Sequence, residues 1–454
     1  MMQVRFVAIA LLLCGIPFAV QAESEALERL ARYIEVDTTN PPGNETRGVA
    51  FLGEILAAAG IAYETAEPEA GRGSLWARLE GGDQPALILL HHIDVVQASP
   101  DAWDTDPLQA VIKDGELFGR GAIDTKSLGI MHLEAFLALH RSGRALNRDV
   151  IFLATADEEA GGQLGAGWLV EQRPEIFEGA GYLLNEAGLG ITSSGKTRFQ
   201  IEVAQKRPYW LRLVASGQPG HGSSPRATPA PARLVAALHR IQQAPFEPRV
   251  TAPVRAMFKG IAPYEDPAWQ AALADIDAAL DEAGFLERLQ EDKPHLHALL
   301  RNTCAITMLS GSGKINVIPP TASAEIDCRI LPEQDAGEFL AAITERIDDE
   351  QIRIESIMNF EPSASSADTA LFRLLETVIG KHYPEAGVIA SVQAGFTDSH
   401  FFRERGIVSY GFGPFVIPSA AISSVHGNNE RIGIASFERG VEMMTEVVAA
   451  FATD

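Results

Sequence analysis

Apolar residues recur at helical spacing from Glu25 to Val36 (Leu27, Leu30, Ala31, Ile34), and the predicted helix stops at Asp37-Thr38-Thr39-Asn40-Pro41-Pro42-Gly43, where paired prolines and a glycine turn the chain. A second helical pattern runs from Arg47 to Ala59. Strand patterns follow at Ile61 to Thr65 and Ser74 to Leu79, then the wholly apolar run Ala86 to Leu90. Such a run suits a strand covered on both faces, as in a parallel or mixed sheet between helices. Next come a helix from Ser127 to His140, a strand from Val150 to Thr155, a helix from Leu164 to Glu171 and a strand from Tyr182 to Leu184. Alternating strands and helices argue for an α/β fold rather than a bundle or an all-β fold.

Near Gln205 the pattern changes. Tyr209 to Ser216 alternates like a half-exposed strand, Pro231 to Gln243 is helical, and Pro253 to Leu300 reads as a polar, helix-rich insertion. Strands at Thr303 to Leu309, Ala322 to Leu331 and Ile352 to Ile357 enclose a helix from Asp335 to Ile347. Two helices on an antiparallel sheet make a smaller α+β domain set inside the first. Helices from Thr369 to Ile379 and Ile434 to Phe451, with a strand near Val388, return to the main sheet. The expected architecture is a three-layer α/β/α catalytic domain (residues 23–205 and 362–454) carrying an inserted α+β lid or dimerisation domain (206–361).

Composition narrows the partners. The 454 residues are 46% hydrophobic and 21% charged, with a formal net charge of −23; that is a globular chain and a poor binder of nucleic acid or anionic membranes, which need basic patches. A basic start at Arg5, an apolar run from Phe6 to Val20 and a small residue at Ala22 describe a secretory signal peptide over residues 1–22. The run is short for a membrane span, and Leu13 before Cys14 does not suit lipid anchoring. The reading is therefore export, to the periplasm or the extracellular space, with no membrane anchor. Cys304 and Cys328 remain after cleavage, and both a disulfide and two free apolar thiols fit their strand settings.

The chemistry gathers at strand ends. Val150 to Thr155 runs into Asp157-Glu158-Glu159, and three adjacent acids repel unless solvent or a cation takes their charge. The run at Leu87 to Leu90 ends in His91-His92-Ile93-Asp94; Asp124 stands before a helix start; Asn185-Glu186 closes another strand; His426 lies in the loop Val425-His426-Gly427-Asn428-Asn429-Glu430. Ligands of open α/β sheets bind beyond the carboxyl ends of strands. Two histidines and several carboxylates there make the N/O donor set that zinc accepts.

In order and wording these motifs resemble the M20 family of zinc metallopeptidases and amidohydrolases. The likeness also takes in Gly119-Arg120-Gly121, Gly220-His221-Gly222-Ser223-Ser224-Pro225, Asn316-Val317-Ile318-Pro319 and Thr397-Asp398-Ser399. It implies two Zn2+ per subunit, with Co2+ or Mn2+ as substitutes. His92 and Glu186 would hold one ion, Glu159 and His426 the other, and Asp124 would bridge them. Asp94 would orient His92, and Glu158 would be the general base. In the lid, His221 would reach an active site, usually that of the partner in a homodimer formed through this domain. Asn316 and Arg329 would grip a substrate carboxylate. The insertion Pro253 to Leu300 resembles the larger lids of carboxypeptidase S-like members.

The implied reaction is zinc-dependent hydrolysis of an amide bond in a small peptide, of carboxypeptidase or dipeptidase type. An N-acyl-amino-acid deacylase on the same site is the other reading. A non-catalytic binding protein on this fold would have lost Glu158 or a ligand, and all six residues are present.

Overall fold

The computed structural model describes residues 24–453; the expected signal peptide lies outside them. An eight-stranded mixed sheet forms the centre, in the order Gly387–Gln393, Lys196–Gln205, Val408–Pro418, Ala180–Ser193, Gln84–His92, Arg148–Thr155, Ser74–Leu79, Tyr63–Ala66. The three strands Ala180–Ser193, Gln84–His92 and Arg148–Thr155 run parallel. Their side chains alternate between two cores, which is why the sequence run is apolar throughout. Leu87 and Leu89 enter one core with helices Glu25–Ile34, Lys126–Ser142 and Ile434–Thr453. Ile88 and Leu90 enter the other with helix Ala166–Gln172 and residues Phe401 and Phe402. The three-layer α/β/α expectation is met. No described helix is long and apolar enough to cross a membrane.

A four-stranded antiparallel sheet forms separately, in the order Thr303–Ser310, Thr321–Ile330, Arg207–Ser216, Ile352–Asn359. Helices Ala230–Gln243 and Ala336–Ile347 cover one face, with Leu213, Leu234, Ile326 and Phe339 in its own core. Cys304 and Cys328 face each other across two of these strands and form a disulfide.

Three elements depart from the sequence expectation. Strands Lys196–Gln205 and Val408–Pro418 were not expected, and the second is central. Its Gly411, Gly413 and Pro414 read as turn residues, but their small or ring-closed shapes sit where the pairing is bulged. The third is the insertion. Its helices Ala252–Ile261, Pro267–Ala274 and Phe285–Asp292 place Val254, Phe258, Leu273 and Leu289 in the core of the main sheet, not of the small one. Helix Ala252–Ile261 packs on strand Gly387–Gln393, so in packing terms it belongs to the larger body although it lies within residues 206–361.

Candidate active site

Strand Gln84–His92 ends with two histidines that point to opposite sides. His91 turns into the core, where Tyr33 Oη lies 3.3 Å from its Nε2 and a Cβ on Gly129 would strike its ring. His92 turns to the sheet end, with Nε2 3.0 Å from Asp124 Oδ1 and 3.6 Å from Glu186 Oε2. Its other nitrogen, Nδ1, is 2.9 Å from the backbone carbonyl of Asp94, while the Asp94 carboxylate is 3.6 Å away. The carbonyl thus fixes the ring's tautomer. The Asp94 carboxylate is engaged elsewhere, accepting from Asn40 Nδ2 and from the backbone N–H groups of Glu158 and Glu159. It positions the acid turn more directly than the imidazole.

Asp124 sits between two imidazoles: Oδ1 faces His92, and Oδ2 is 2.9 Å from His426 Nε2. His426 Nε2 is also 3.1 Å from Glu159 Oε2. The result is two donor sets sharing one carboxylate, His92, Asp124 and Glu186, and Asp124, Glu159 and His426, each with its ligand atoms within 4.8 Å of one another. Glu159 Oε1 is buried without a hydrogen-bond partner among the described residues, a lone pair aimed inward that a cation would satisfy. Nitrogen and oxygen donors in this number suit a divalent transition-metal pair.

Electrostatics agree with that fit. Burial pushes Glu158 well up from the ordinary carboxylate range, reinforced by the charge of Glu186. Glu159 is pushed up to about 7 by burial and by Asp124. Burial alone would lower His92, but Glu186, Asp124 and Asp94 hold its charged form and carry it well up. His426 rises to about 10 through its bonds to Asp124 and Glu159. Protons on the imidazoles balance the crowded carboxylates, and a metal competes for the same lone pairs.

The surrounding clamps were not visible in the sequence. Glu430 is fully buried and pairs with Arg120 at 2.7 Å. It also accepts from the backbone N–H groups of Gly121, Ile123 and Asp124, while Arg120 donates to the Gly427 carbonyl. One ion pair therefore ties the Asp124 loop to the His426 loop. On the other side Arg72 bridges Glu45 and Asp157 at 2.7 Å each, so the first acid of the run is a paired support. Asp398, bonded to Thr155 Oγ1, adds another buried carboxylate whose pKa burial raises well above the ordinary range. Asp157, Ala187 and His426 all have positive φ. Non-glycine residues in that region cost about 1–3 kcal/mol each and persist where the surroundings impose them.

The lid residues are treated differently. His221 and Asn316 lie on exposed loops, joined by the short pairing of Gly220-His221 with Val317-Ile318. His221 Nδ1 meets only Ser223, and among the described residues no contact joins His221 or Asn316 to the donor sets. Arg329 is half-buried, forms a two-point pair with Asp327, and lies 4.9 Å from the centre of the Phe396 ring. Its Nη1 is buried without a partner among the described residues.

Residues 88–450 match the family model for Peptidase family M20/M25/M40. The chain belongs to this family. It is 29% identical over 388 residues to N-fatty-acyl-amino acid synthase/hydrolase PM20D1 of Xenopus tropicalis, covering 83% of this chain and 75% of that protein. To aminoacylase-1 of Homo sapiens it is 26% identical over 448 residues, covering 95% and 97%. The M20 family metallo-carboxypeptidase Sso-CP2 of Sulfolobus solfataricus shares the fold, with a TM-score of 0.72, 19% identity and coverage of 94% and 99%. As an M20 protein the chain is a hydrolase of amide bonds, with two sets of candidate metal-binding residues gathered at the sheet end.

Proposed function

We propose that the chain cleaves the amide bond of an N-acyl amino acid or small peptide with a free carboxylate, using two zinc ions. The carrying observation is the pair of donor sets sharing Asp124, with Glu158 buried on the same turn as Glu159. His92 and Glu186 would hold one ion and Glu159 and His426 the other, with Asp124 common to the two donor sets. A metal pair held there would supply Lewis acidity, lowering the pKa of a bound water and polarising the scissile carbonyl. Glu158 takes the proton of the attacking water and returns it to the departing nitrogen, a task for which burial and neighbouring charge poise a carboxylate. Asp94 positions Glu158 by holding the backbone N–H groups of the turn.

Three residues between positions 206 and 361 complete the reading. Arg329, packed on Phe396 and with Nη1 free, takes the substrate carboxylate together with Asn316; a guanidinium fork suits a carboxylate. His221 stabilises the oxyanion from an exposed loop. Its exposure, with no hydrogen bond to the donor sets among the described residues, favours action on the partner's site in a homodimer, and exposed Ile315 and Val317 beside it offer apolar contact area. Export fits the N-terminal segment and the Cys304–Cys328 disulfide, which persists in an oxidising compartment. The deciding experiment is metal analysis with Glu158→Gln: near-stoichiometric zinc in both proteins, with turnover only in the native one, is expected. Equal turnover removes Glu158 as the base.

A further inference from the structure

Because the insertion packs on the large core, the chain passes between the main body and the small sheet four times, at residues 205–207, 246–250, 300–304 and 359–362. Ala204, Val250 and Leu300 belong to the large core, and Tyr209, Phe246 and Cys304 to the small one. The passes are bonded to one another. Lys206 is fully buried, and its Nζ donates to the carbonyls of Ala298 and Arg301 at 2.8 Å each and to Thr303 Oγ1 at 3.0 Å. Three acceptors match the three protons of an ammonium. The backbone N–H of Lys206 donates to the Gln393 carbonyl of the main sheet at 2.8 Å. Arg207 Nη1 donates to the Phe360 carbonyl at 2.8 Å, and the Arg249 N–H to the Leu300 carbonyl at 2.6 Å. The first pass is thus tied to the third and fourth, and the second to the third. Phe360, in the fourth, stacks on the His400 ring of the main body.

Arg329 stands directly over this junction, paired in register with Pro208 on one side and Thr303 on the other. We infer that Lys206 is a positioning residue: it locks the small sheet to the main body, so that Arg329 keeps a fixed place relative to the donor sets. The inference rests on the reading of Arg329 as the group that meets the substrate carboxylate. A domain inserted on two linkers can turn about a few hinge residues. Turning this one changes the separations among four passes that are bonded together. It would also pull a buried ammonium from its acceptors, and a buried charge without partners is costly. The small sheet is therefore set in place as the chain folds, before substrate arrives.

The test joins hydrogen exchange of single amides with steady-state kinetics of the zinc-loaded protein on N-acetyl-phenylalanine and its carboxamide. In the native protein the amides of Lys206, Arg249 and Leu331, the last bonded to Asn302 of the third pass, should exchange as slowly as those of strand Gln84–His92. Adding N-acetyl-phenylalanine should not change this. Rapid exchange at these amides overturns the lock. Lys206→Met should speed exchange at Arg249 and Leu331 and raise KM for N-acetyl-phenylalanine at least about tenfold, with kcat within about threefold. The carboxamide, lacking the carboxylate, should keep its KM. An unchanged KM, or an equal loss on both compounds, removes Lys206 as a positioning residue. If Arg329→Ala leaves KM unchanged while the amides stay protected, the reading of Arg329 fails and the lock stands. Should Lys206→Met fail to fold, Thr303→Val, which removes one acceptor, replaces it in both measurements; without turnover, exchange alone decides the lock.

Discussion

His92 and His221 each end a strand, and the fold treats them in opposite ways. His92 is 2% exposed, its Nδ1 set by a carbonyl and its Nε2 held between two carboxylates. His221 is exposed, with Ser223 as its side-chain partner. The contrast extends to their regions: the donor sets are gripped from outside by Arg120–Glu430 and by Glu45–Arg72–Asp157, while the His221 and Asn316 loops hold only each other. A like-charged cluster must be imposed by the structure around it. A loop that meets its target only on binding is free of that demand.

Perturbing each region separately should show how far this contrast holds. The largest effect belongs to Glu158→Gln: a loss of about 10²–10⁴-fold in kcat with zinc content unchanged. Glu430→Ala leaves Arg120 buried and unpaired; chemical denaturation should show a loss of about 3–5 kcal/mol, with weakened zinc binding. If stability is unchanged, the clamp does not impose the site. His221→Ala should lower kcat by about 10²–10³-fold with melting temperature and zinc content intact. Mixing it with Glu158→Gln should restore turnover if His221 serves the partner subunit; continued silence of the mixture would refute action across subunits. Ile315→Ser, on the exposed loop, should change stability by less than about 0.5 kcal/mol while lowering the solution mass. An unchanged mass removes this loop from the dimer contact.

His92 and Glu159 were legible in the sequence because each follows a strand whose apolar run is unmistakable, Leu87 to Leu90 before His92 and Val150 to Thr155 before Glu159, whereas Asp124 and His426 lie in loops. Parallel strands with buried faces announce themselves, and their ends share one side of the sheet. Partners that meet only in space were hidden. Glu430 stands in the same loop as His426, but nothing local ties it to Arg120, 310 residues away. Glu45, Arg72 and Asp157 form one network from three distant segments. The strand Val408–Pro418 was masked by its glycines and prolines, and the packing of the insertion could not follow from its helical pattern. Its apolar positions, such as Val254 and Phe258, carry no local mark of which sheet they cover, and they join the core of the large one.

The Arg120–Glu430 tie also has a temporal consequence. During synthesis the first donor set, completed by Glu186, exists long before the ribosome reaches His426 and Glu430. Strand Val408–Pro418 must then enter the sheet beside Ala180–Ser193, so the second set closes only after His426 has been made. A chain cut before His426 thus lacks the second donor set, and proteolytic removal of the segment from His426 onward would open that set without touching Glu158.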